Sequence, residues 1–365
     1  MNKKYFSASI LALFTITAFS QFHTLNIPQK SPKVLESQKI GVTDITIDYS
    51  SPAVKDRDVW NNQQIIPQNG NPIPWRAGAN MNTTITFSTN VNIEGEMLKA
   101  GTYGFHIIPN EETYTLLFAH NHNQWGSYYL DIEKDISLRL EVTAVDCNFS
   151  EQLNFEFLNR SENSVVIGLE WGDKRIPFTV SVDLNKTVVE SFRNELRGVN
   201  TYHWQAWDDA AKWCLVHDTN LEEALEWSNR SINGGYYGFA ANKNVTNTGT
   251  NIKLLKKANK TDKVAEAIAE SKKMLVNEHD ANELSIFFLR TEFYEDALDY
   301  SKNKLKVFPD SWSLLLNKGI ANYFLNNAKA AIKDVKEVIK LAPEQFNNRL
   351  NEIINEFETG TYKLR

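Results

Sequence analysis

Three histidines have the type and spacing that could hold a metal ion. His120 and His122 are two residues apart, and side chains at this spacing lie on the same face of an extended strand. His106 lies one predicted strand earlier, so all three could converge on a divalent metal, with Asp131 or Glu133 adding an oxygen ligand. Asn121 between these two histidines and Asn123 after them equally suit a turn. The sequence leaves open a metal site and a set of surface or hydrogen-bonded histidines.

The segment around Arg76 is a candidate site for ligand recognition. Trp75, Arg76 and Asn80 lie in a glycine-containing loop just before a predicted strand. A guanidinium group can hold a carboxylate or phosphate through two parallel hydrogen bonds. The alternative is a structural arginine that caps loop carbonyls or pairs with Asp44 or Asp48. Both interpretations of Arg76 stay open.

Aromatic and amide side chains extend this candidate ligand-binding set to His106, Gln124 and Trp125. Trp75 and Trp125 could stack on a sugar ring while Asn80 and Gln124 bond its hydroxyl groups. The alternative is that the tryptophans pack in the core and anchor loops, which is the commoner role of this residue type. The first interpretation predicts a glycan or another small molecule as the ligand.

The elements that must position these residues have two different periodicities. From residue 34 to 182 apolar and polar residues alternate, as in Ile45, Ile47 and Tyr49, which indicates strands with one buried face. Many such runs with turn residues between them predict an antiparallel β-sandwich or a flattened barrel. Residues 92–95 and 170–173 predict tight turns between paired strands.

From about residue 184 the apolar period is close to 3.6 residues, which predicts helices to the C-terminus. Ala297 and Ala331 are 34 residues apart, as are Pro309 and Pro343. This period resembles that of tetratricopeptide repeats, although the Trp and Tyr positions of their consensus are poorly kept. Stacked helical hairpins bury their faces against neighbours and leave an extended concave surface. An irregular array of hairpins would have a similar surface.

Local signals predict where individual helices begin and end. Thr219 with Glu222, and Asp280 with Glu283, have the spacing of a capping box at a helix start. Residues 234–249 are rich in glycine and asparagine and predict a long link between two hairpins.

Ordered motifs in the front half carry a family resemblance. The matching residues are Ser31-Pro32, Ile40-Gly41-Val42-Thr43-Asp44-Ile45, Asp48-Tyr49-Ser50, Pro52, Val54-Lys55, Arg57, Trp75-Arg76, Gly78-Ala79-Asn80, Thr84, Ala100-Gly101-Thr102-Tyr103, Ile108-Pro109 and Gln124-Trp125-Gly126. Over about residues 31–182 the chain resembles the secreted bacterial family known as domain of unknown function 2911. It departs from the family pattern between residues 65 and 74. The resemblance implies no established reaction, so it informs the fold more than the function.

The first twenty residues predict a signal peptide, with Lys3 and Lys4 before an apolar run and small residues before Gln21. A membrane anchor is the alternative, but the run is short and interrupted. We expect an exported protein, periplasmic or extracellular, without a transmembrane segment after signal removal. Its two domains would be a β-sandwich at residues 21–182 and a helical domain at 183–365.

The composition narrows the classes of partner. A net charge of −6 with interspersed lysines and glutamates argues against nucleic acid as a partner. Two cysteines, Cys147 and Cys214, do not make a disulfide framework. Export would permit a bridge between them, but buried free thiols are the preferred expectation.

Three functional hypotheses follow. Motifs for nucleophilic catalysis, phosphate cradling, dinucleotide binding and calcium binding are absent from the sequence, which favours a non-enzymatic binding or scaffolding protein. Its sandwich would hold a small ligand near Arg76, Asn80, His106 and Trp125, and its helices would bind a protein or peptide. The first alternative is a metal-dependent envelope hydrolase that uses the three histidines. The second is a carbohydrate-binding module.

Overall fold

The computed structural model describes residues 28–364, so the predicted signal peptide lies outside the described residues and stays a prediction. Strands come first and helices follow: the last strand ends at Ser181 and the first helix begins at Leu184. The strands are β1 (Lys33–Ile40), β2 (Thr43–Ser50), β3 (Thr83–Phe87), β4 (Val91–Ile93), β5 (Glu96–Leu98), β6 (Gly101–Pro109), β7 (Tyr114–Ala119), β8 (Ile136–Val142), β9 (Val145–Leu158) and β10 (Ser164–Ser181).

The strands form two antiparallel sheets. One sheet has the order β1-β2-β3-β6-β7-β8, and the other has the order β5-β4-β10-β9. Among residues 28–364 neither sheet closes on itself, so the fold is a sandwich rather than a flattened barrel. The predicted antiparallel β class is therefore confirmed.

The two sheets share one apolar core. Alternation in β2 buries Ile45, Ile47 and Tyr49, as the period-two pattern predicts. Aromatic rings join the sheets: the ring of Phe105 lies 5.5 Å from that of Phe178, and the Phe155 ring lies 4.9 Å from that of Tyr49. Such pairs contribute beyond the area that they bury, because ring edges and faces carry opposite partial charges.

The two predicted tight turns have different outcomes. Residues 92–95 do turn between β4 and β5, with Gly95 at φ 91°. Residues 170–173 do not, because β10 runs through them with register shifts against β9, and this prediction was wrong. Trp171 is buried in the core, which holds the segment in the sheet. Gly172, at φ 65°, permits a β-bulge where the sequence alone indicated a turn.

The helices are α1 (Leu184–Glu195), α2 (Trp204–Val216), α3 (Leu221–Asn233), α4 (Val245–Lys257), α5 (Thr261–Lys272), α6 (Glu278–Arg290), α7 (Tyr294–Lys304), α8 (Trp312–Phe324), α9 (Ala328–Leu341) and α10 (Asn347–Thr359). Helices α6 and α8 begin 34 residues apart, and so do α7 and α9. The structure therefore contains the predicted repeat of helical hairpins.

The hairpins stack so that their first helices form one side. Helix α2 packs against α4, α4 against α6, and α6 against α8. The corresponding contacts between the second helices, α3, α5, α7 and α9, are fewer. Because the first helices approach one another more closely, their side of the stack is the concave one.

Glycines allow close helix packing at two places. A Cβ atom on Gly319 of α8 would lie 3.2 Å from the Cβ of Asp334 on α9, so this crossing needs the small residue that the repeat predicts. A Cβ atom on Gly249 would lie 3.1 Å from the Phe287 ring. Gly249 lies inside α4, so the predicted link at residues 234–249 is shorter than expected.

Both predicted capping boxes were wrong. Helix α3 begins after Asn220, which has a left-handed backbone (φ 51°) and makes no side-chain cap. Helix α6 begins after Asn277, whose side chain accepts a hydrogen bond from Asp280 N at 2.8 Å. In both cases an asparagine near the predicted position precedes the helix, since asparagine tolerates the non-helical backbone required there.

Both cysteines are free: Cys214 is buried and Cys147 is half-buried. Burial raises the pKa of the Cys214 thiol to about 11. Within residues 28–364, no helix has the length and apolar character needed to cross a membrane.

The sandwich core leads to a stability prediction. Phe155→Ala should lower the free energy of unfolding by about 3–5 kcal/mol, because it leaves a cavity between the sheets. Leu35→Ala, at a strand position 67% exposed, should change it by less than about 0.5 kcal/mol. Urea unfolding followed by tryptophan fluorescence measures both variants. Equal losses would contradict the shared core.

Candidate functional site

The loop that follows Pro74 is fixed to the sandwich at both ends. Trp75 and Ile107 of β6 exchange two backbone hydrogen bonds of 2.8 Å each. Further along, the Thr83 hydroxyl donates to Ala77 O at 2.8 Å. A Cβ atom on Gly78 would lie 3.0 Å from Ser50 O, so the loop backbone lies close against β2. These contacts hold the side chains of residues 75–80 in one geometry.

Trp75 anchors this loop in the core. It is 3% exposed, and its ring is stacked 6.0 Å from that of Trp171 with an interplanar angle of 10°. The Trp60 ring lies edge-on to it, and Trp60 Nε1 donates to Trp171 O at 2.8 Å. Both faces of Trp75 are therefore enclosed, and the structure does not support the hypothesis that this ring stacks on a sugar.

The half-buried guanidinium of Arg76 joins its own loop to the loop at residues 121–130. Arg76 Nη1 donates to Asn80 O at 2.6 Å. Its Cζ lies 5.6 Å from the centre of the Tyr128 ring. A Cβ atom on Gly126 would lie 2.7 Å from this same Cζ, so only a glycine permits the contact. Gly126 also has φ 64°, which disfavours other residues.

Of the two structural roles predicted for Arg76, the structure shows carbonyl capping. The carboxylates of Asp44 and Asp48 pair instead with Lys39 at 3.3 Å and with Lys33 at 2.9 Å. Among the described residues, Arg76 has no carboxylate within ion-pair distance. Its remaining N–H donors thus face no acidic partner from residues 28–364.

A cavity of about 490 Å³ opens beside Arg76, between its loop and Lys30 and Ser31, which precede β1. Four of its lining residues are basic and none is acidic. These four are Lys30, Lys55, Arg57 and Arg76. Trp75 and Asn80 also line it, so three of the residues predicted to bind a ligand meet at this cavity.

His106 lies behind Arg76 rather than in the cavity. It is on the outer face of β6, opposite the core residues Phe105 and Ile107, as the strand phase predicts. The loop at residues 121–130 buries it completely, and its Nδ1 lies 2.7 Å from Ser127 Oγ. Burial, and secondly the charge of Arg76, lower the pKa of His106 to about 4. The imidazole is thus neutral at pH 7.

Gln124 belongs to the same buried cluster. Its backbone N–H donates to Asn82 Oδ1 at 3.2 Å, and its carbonyl accepts from Asn82 N at 3.2 Å. The Gln124 amide and His106 Nε2 have no hydrogen-bond partner among the described protein atoms. Trp125, in contrast, is 55% exposed on the surface. The six residues predicted to bind a ligand therefore lie in three places. Three line the cavity, His106 and Gln124 are in the buried cluster, and Trp125 is on the surface.

The structure does not bring the three candidate metal-ligating histidines together. His120 and His122 are exposed, whereas His106 is enclosed. His120 Nε2 lies 3.7 Å from Asp135, and His122 Nδ1 lies 3.0 Å from the His120 carbonyl. In residues 28–364 no group of three or more His, Cys, Asp or Glu side chains is arranged to hold a metal ion. Strand β7 ends at Ala119, so His120 and His122 lie in the loop after it and not on one strand face.

Sequence reasoning missed part of the site. Lys55 and Arg57 are among the residues that carry the family resemblance, but no role was assigned to them. Lys30 had no local signal at all. Gly126 belongs to the motif Gln124-Trp125-Gly126, but its contact with Arg76 could not be predicted, and Ser127 could have been found only from its spatial contact with His106.

A second concave site lies on the inner side of the helices. A groove of about 560 Å³ crosses α2, α4 and α6. Its apolar lining residues are Leu215, Val216, Val245, Ile286 and Phe287. Its charged lining residues include Lys212, Lys253, Asp280 and Glu283.

A known protein family matches the sandwich part of the chain. Residues 31–180 match the model of the family described as "Protein of unknown function (DUF2911)". The match confirms the resemblance carried by the sequence motifs. It covers the sandwich and leaves the helical part outside. Among curated proteins, none matches this chain significantly.

Solved structures with similarity to the chain are tetratricopeptide repeat and related proteins. A tetratricopeptide repeat protein from Parabacteroides merdae has 16% identity and a TM-score of 0.33, covering 49% of this chain and 68% of its own. MamA from Desulfovibrio magneticus has 14% identity and a TM-score of 0.27, covering 43% and 88%. These scores are low, so the repeat architecture rests on the helix packing described above.

The contact between Gly126 and Arg76 leads to a matched comparison. Gly126→Ala should lower the free energy of unfolding by about 2–4 kcal/mol, because strain at positive φ adds to a clash with the guanidinium. Gly95→Ala also has positive φ but no atom within 4 Å of the new Cβ, so it should cost only about 1–2 kcal/mol. Chemical denaturation measures the difference. Equal losses would show that Gly126 is not required for space.

The lowered pKa of His106 leads to a pH dependence. The pKa is 6.5 in the unfolded chain and about 4 in the folded one, so the unfolded state binds more protons between these values. The stability from neutral His106 is complete above pH 6.5 and decreases as pH falls to 4. His106→Asn should flatten this decrease, by up to about 1.4 kcal/mol per pH unit.

Denaturation between pH 4 and 7 measures this effect. The control is His122→Asn, because His122 is exposed and should retain the slope of the unaltered protein. Parallel slopes for His106→Asn and the unaltered protein would show that His106 is not buried in its neutral form.

Proposed function

We propose that this chain is an exported, non-enzymatic binding protein whose helices hold a peptide segment of a protein partner in the groove across α2, α4 and α6. The observation that carries the proposal is apolar surface left open on the concave side. Val216 is 77% exposed although it lies on the inner side of α2. Apolar side chains exposed together on a concave surface are a typical feature of binding sites.

The shape of the groove suits an apolar anchor. Gly249 supplies no side chain at the centre of α4, which brings the backbone close to Phe287. Lys253 Nζ lies over the Phe287 ring, 5.6 Å from its centre, so a cation covers one face of this ring. Val216 and Ile286 lie among the groove's other lining residues. A partner side chain inserted here would exchange exposed apolar surface for buried surface.

The charges around the groove suit a segment with both signs of charge. Asp280 and Glu283 lie on α6, while Lys212 and Lys253 lie on α2 and α4. Lys212 Nζ lies 2.6 Å from the buried carboxylate of Asp208 and so is partly neutralised. A peptide with an apolar anchor and flanking charges of opposite sign would match this distribution. Charge matching of this kind supports specificity more than affinity.

The geometry of the sandwich supports binding rather than catalysis. The imidazole of His106 and the hydroxyl of Ser127 are within hydrogen-bond distance, as in a nucleophile–base pair. Ser127 is only 1% exposed and His106 is 0% exposed. A substrate could not reach either atom in this arrangement. The hydrogen bond thus serves to fix the loop at residues 121–130.

The sandwich supplies the second part of the proposed function, a pocket for a small ligand. The cavity beside Arg76 has a volume within the usual range of small-molecule sites, roughly 300–1,000 Å³. Export follows from the predicted signal peptide at residues 1–20. An exported protein with two separate concave sites would connect a small ligand and a protein partner in the envelope.

The peptide groove is tested with two exposed valines. A peptide library would be displayed against the mature full chain, and the best peptide would be titrated by fluorescence anisotropy. Val216→Glu should weaken its binding by about tenfold or more, because it places a charge in the apolar groove. Val307→Glu, at a position 65% exposed and outside the groove, should leave the affinity unchanged. An equal effect of both substitutions, or no selected peptide, would overturn the proposal.

A further inference from the structure

We propose that the cavity beside Arg76 binds a small molecule through an oxyanion, a carboxylate or a phosphate group. This inference names the ligand class of the pocket in the proposed function and does not depend on the peptide groove. The ligand would contact the four basic residues of the cavity: Lys30, Lys55, Arg57 and Arg76.

The first argument is the charge of the lining. Elsewhere on the sandwich, some basic side chains have carboxylate partners, as in Lys33 with Asp48 at 2.9 Å and Arg175 with Glu170 at 2.5 Å, whereas others, such as Lys99 and Arg139, are, among the described residues, single cations on the surface. None of the four cavity cations has such a partner among residues 28–364. Four unpaired cations in a chain of net charge −6 repel one another, and an anion between them would relieve the repulsion.

The neighbouring carboxylates do not cancel this charge. Glu151 approaches the wall of the cavity, but its Oε1 accepts the backbone N–H of Lys55 at 2.9 Å. Asp58 binds the Asn61 side chain at 3.0 Å. Neither acidic residue lines the cavity. The interior therefore presents N–H donors without a competing carboxylate.

The second argument is that both arginines are held in place before a ligand arrives. Arg57 Nε and Nη2 donate to the carbonyls of Val54 and Ala53, at 2.9 and 2.6 Å. Arg76 Nη1 is held by Asn80 O in the same way. A guanidinium has five N–H donors, so each arginine retains donors for an oxyanion. A fixed guanidinium loses little conformational entropy when it binds.

The third argument is the backbone conformation on both sides of the cavity. Lys55 and Asp56 have φ of 51° and 56°, and Ala77 and Asn80 have φ of 51° and 60°. Asparagine and aspartate tolerate this region, but residues such as Lys55 and Ala77 are uncommon in it and each costs about 1 kcal/mol or more. The strained turns direct Lys55 and Arg76 into the cavity lining. Four of the seven non-glycine residues with positive φ in the described part of the sandwich lie around this cavity, and backbone strain often occurs at binding sites.

The size of the cavity limits the ligand. Its volume of about 490 Å³ holds a compact molecule rather than a polymer. Trp75 and Trp171 form part of the wall, but they are only 3% and 1% exposed and offer little aromatic surface. Recognition thus rests on the anionic group, with the half-buried Ile65 as a small apolar contact.

Calorimetric titration of the mature full chain tests the inference. The probes are inorganic phosphate, phenyl phosphate and benzoate, with benzamide as a neutral analogue of benzoate. We expect at least one anion to bind and benzamide not to bind. The phosphate and carboxylate arms distinguish the two sources of the oxyanion. Raising the salt from 50 to 500 mM should weaken binding by about tenfold, because solvent-accessible charges are screened.

Charge-matched variants locate the site. Lys30→Gln with Lys55→Gln removes two cavity cations and should weaken anion binding by about tenfold. Lys99→Gln with Arg139→Gln removes two exposed cations of the same domain outside the cavity. This control changes the net charge equally and should alter affinity by less than about twofold.

The outcomes separate this inference from the peptide groove. Benzamide binding as tightly as benzoate, equal weakening by both double variants, or no anion binding up to about 10 mM would each overturn it. Peptide affinity is measured on the same samples. If the protein binds a selected peptide but no anion, the oxyanion proposal alone is overturned. If it binds anions but selects no peptide, only the peptide-groove proposal is overturned.

Discussion

The contact of the Arg76 guanidinium with the backbone of Gly126 is the constraint on which the site depends. It joins the loop at residues 75–83 to the loop at residues 121–130. The second loop buries His106, and the charge of Arg76 contributes to keeping that imidazole neutral. Capping and ligand recognition are compatible, because capping uses one N–H of the five. The structural role of Arg76 fixes the position from which it would bind an anion.

The sandwich core supplies the free energy that this arrangement requires. Positive φ angles at Ala77 and Asn80, like the group of like charges, are unfavourable locally. The stacked pair of Trp75 and Trp171, with the two bonds to Ile107, holds the loop in place regardless. A buried aromatic anchor next to a half-buried arginine explains why the Trp-Arg pair belongs in one dipeptide: the first residue fixes the backbone from which the second extends.

Periodicity predicted the architecture because burial acts on every residue of an element. Alternation along Ile45, Ile47 and Tyr49, and the spacing of Ala297 and Ala331, indicated a sandwich and helical hairpins correctly. Single residues were less informative: the composition at residues 170–173 suits a turn or a bulge, and only the burial of Trp171 decides between them. Part of the candidate site could be predicted from the sequence and part could not. Trp75, Arg76 and Asn80 are neighbours in sequence and share the cavity, whereas Lys30 reaches it through the fold.

The two proposed sites are built on different sets of buried residues. The sandwich cluster, which contains Trp75 and Phe105, shares no member with the helical cluster, which contains Leu254 and Phe288. Coupling between two sites requires an element with two arrangements that both ligands bias. Arg76 is held by Asn80 and Gly126 in one arrangement, and Gly249 is packed against Phe287 in one. If the anion and the peptide bind as proposed, their binding free energies should therefore be additive, because neither site contains an element that the other ligand would shift.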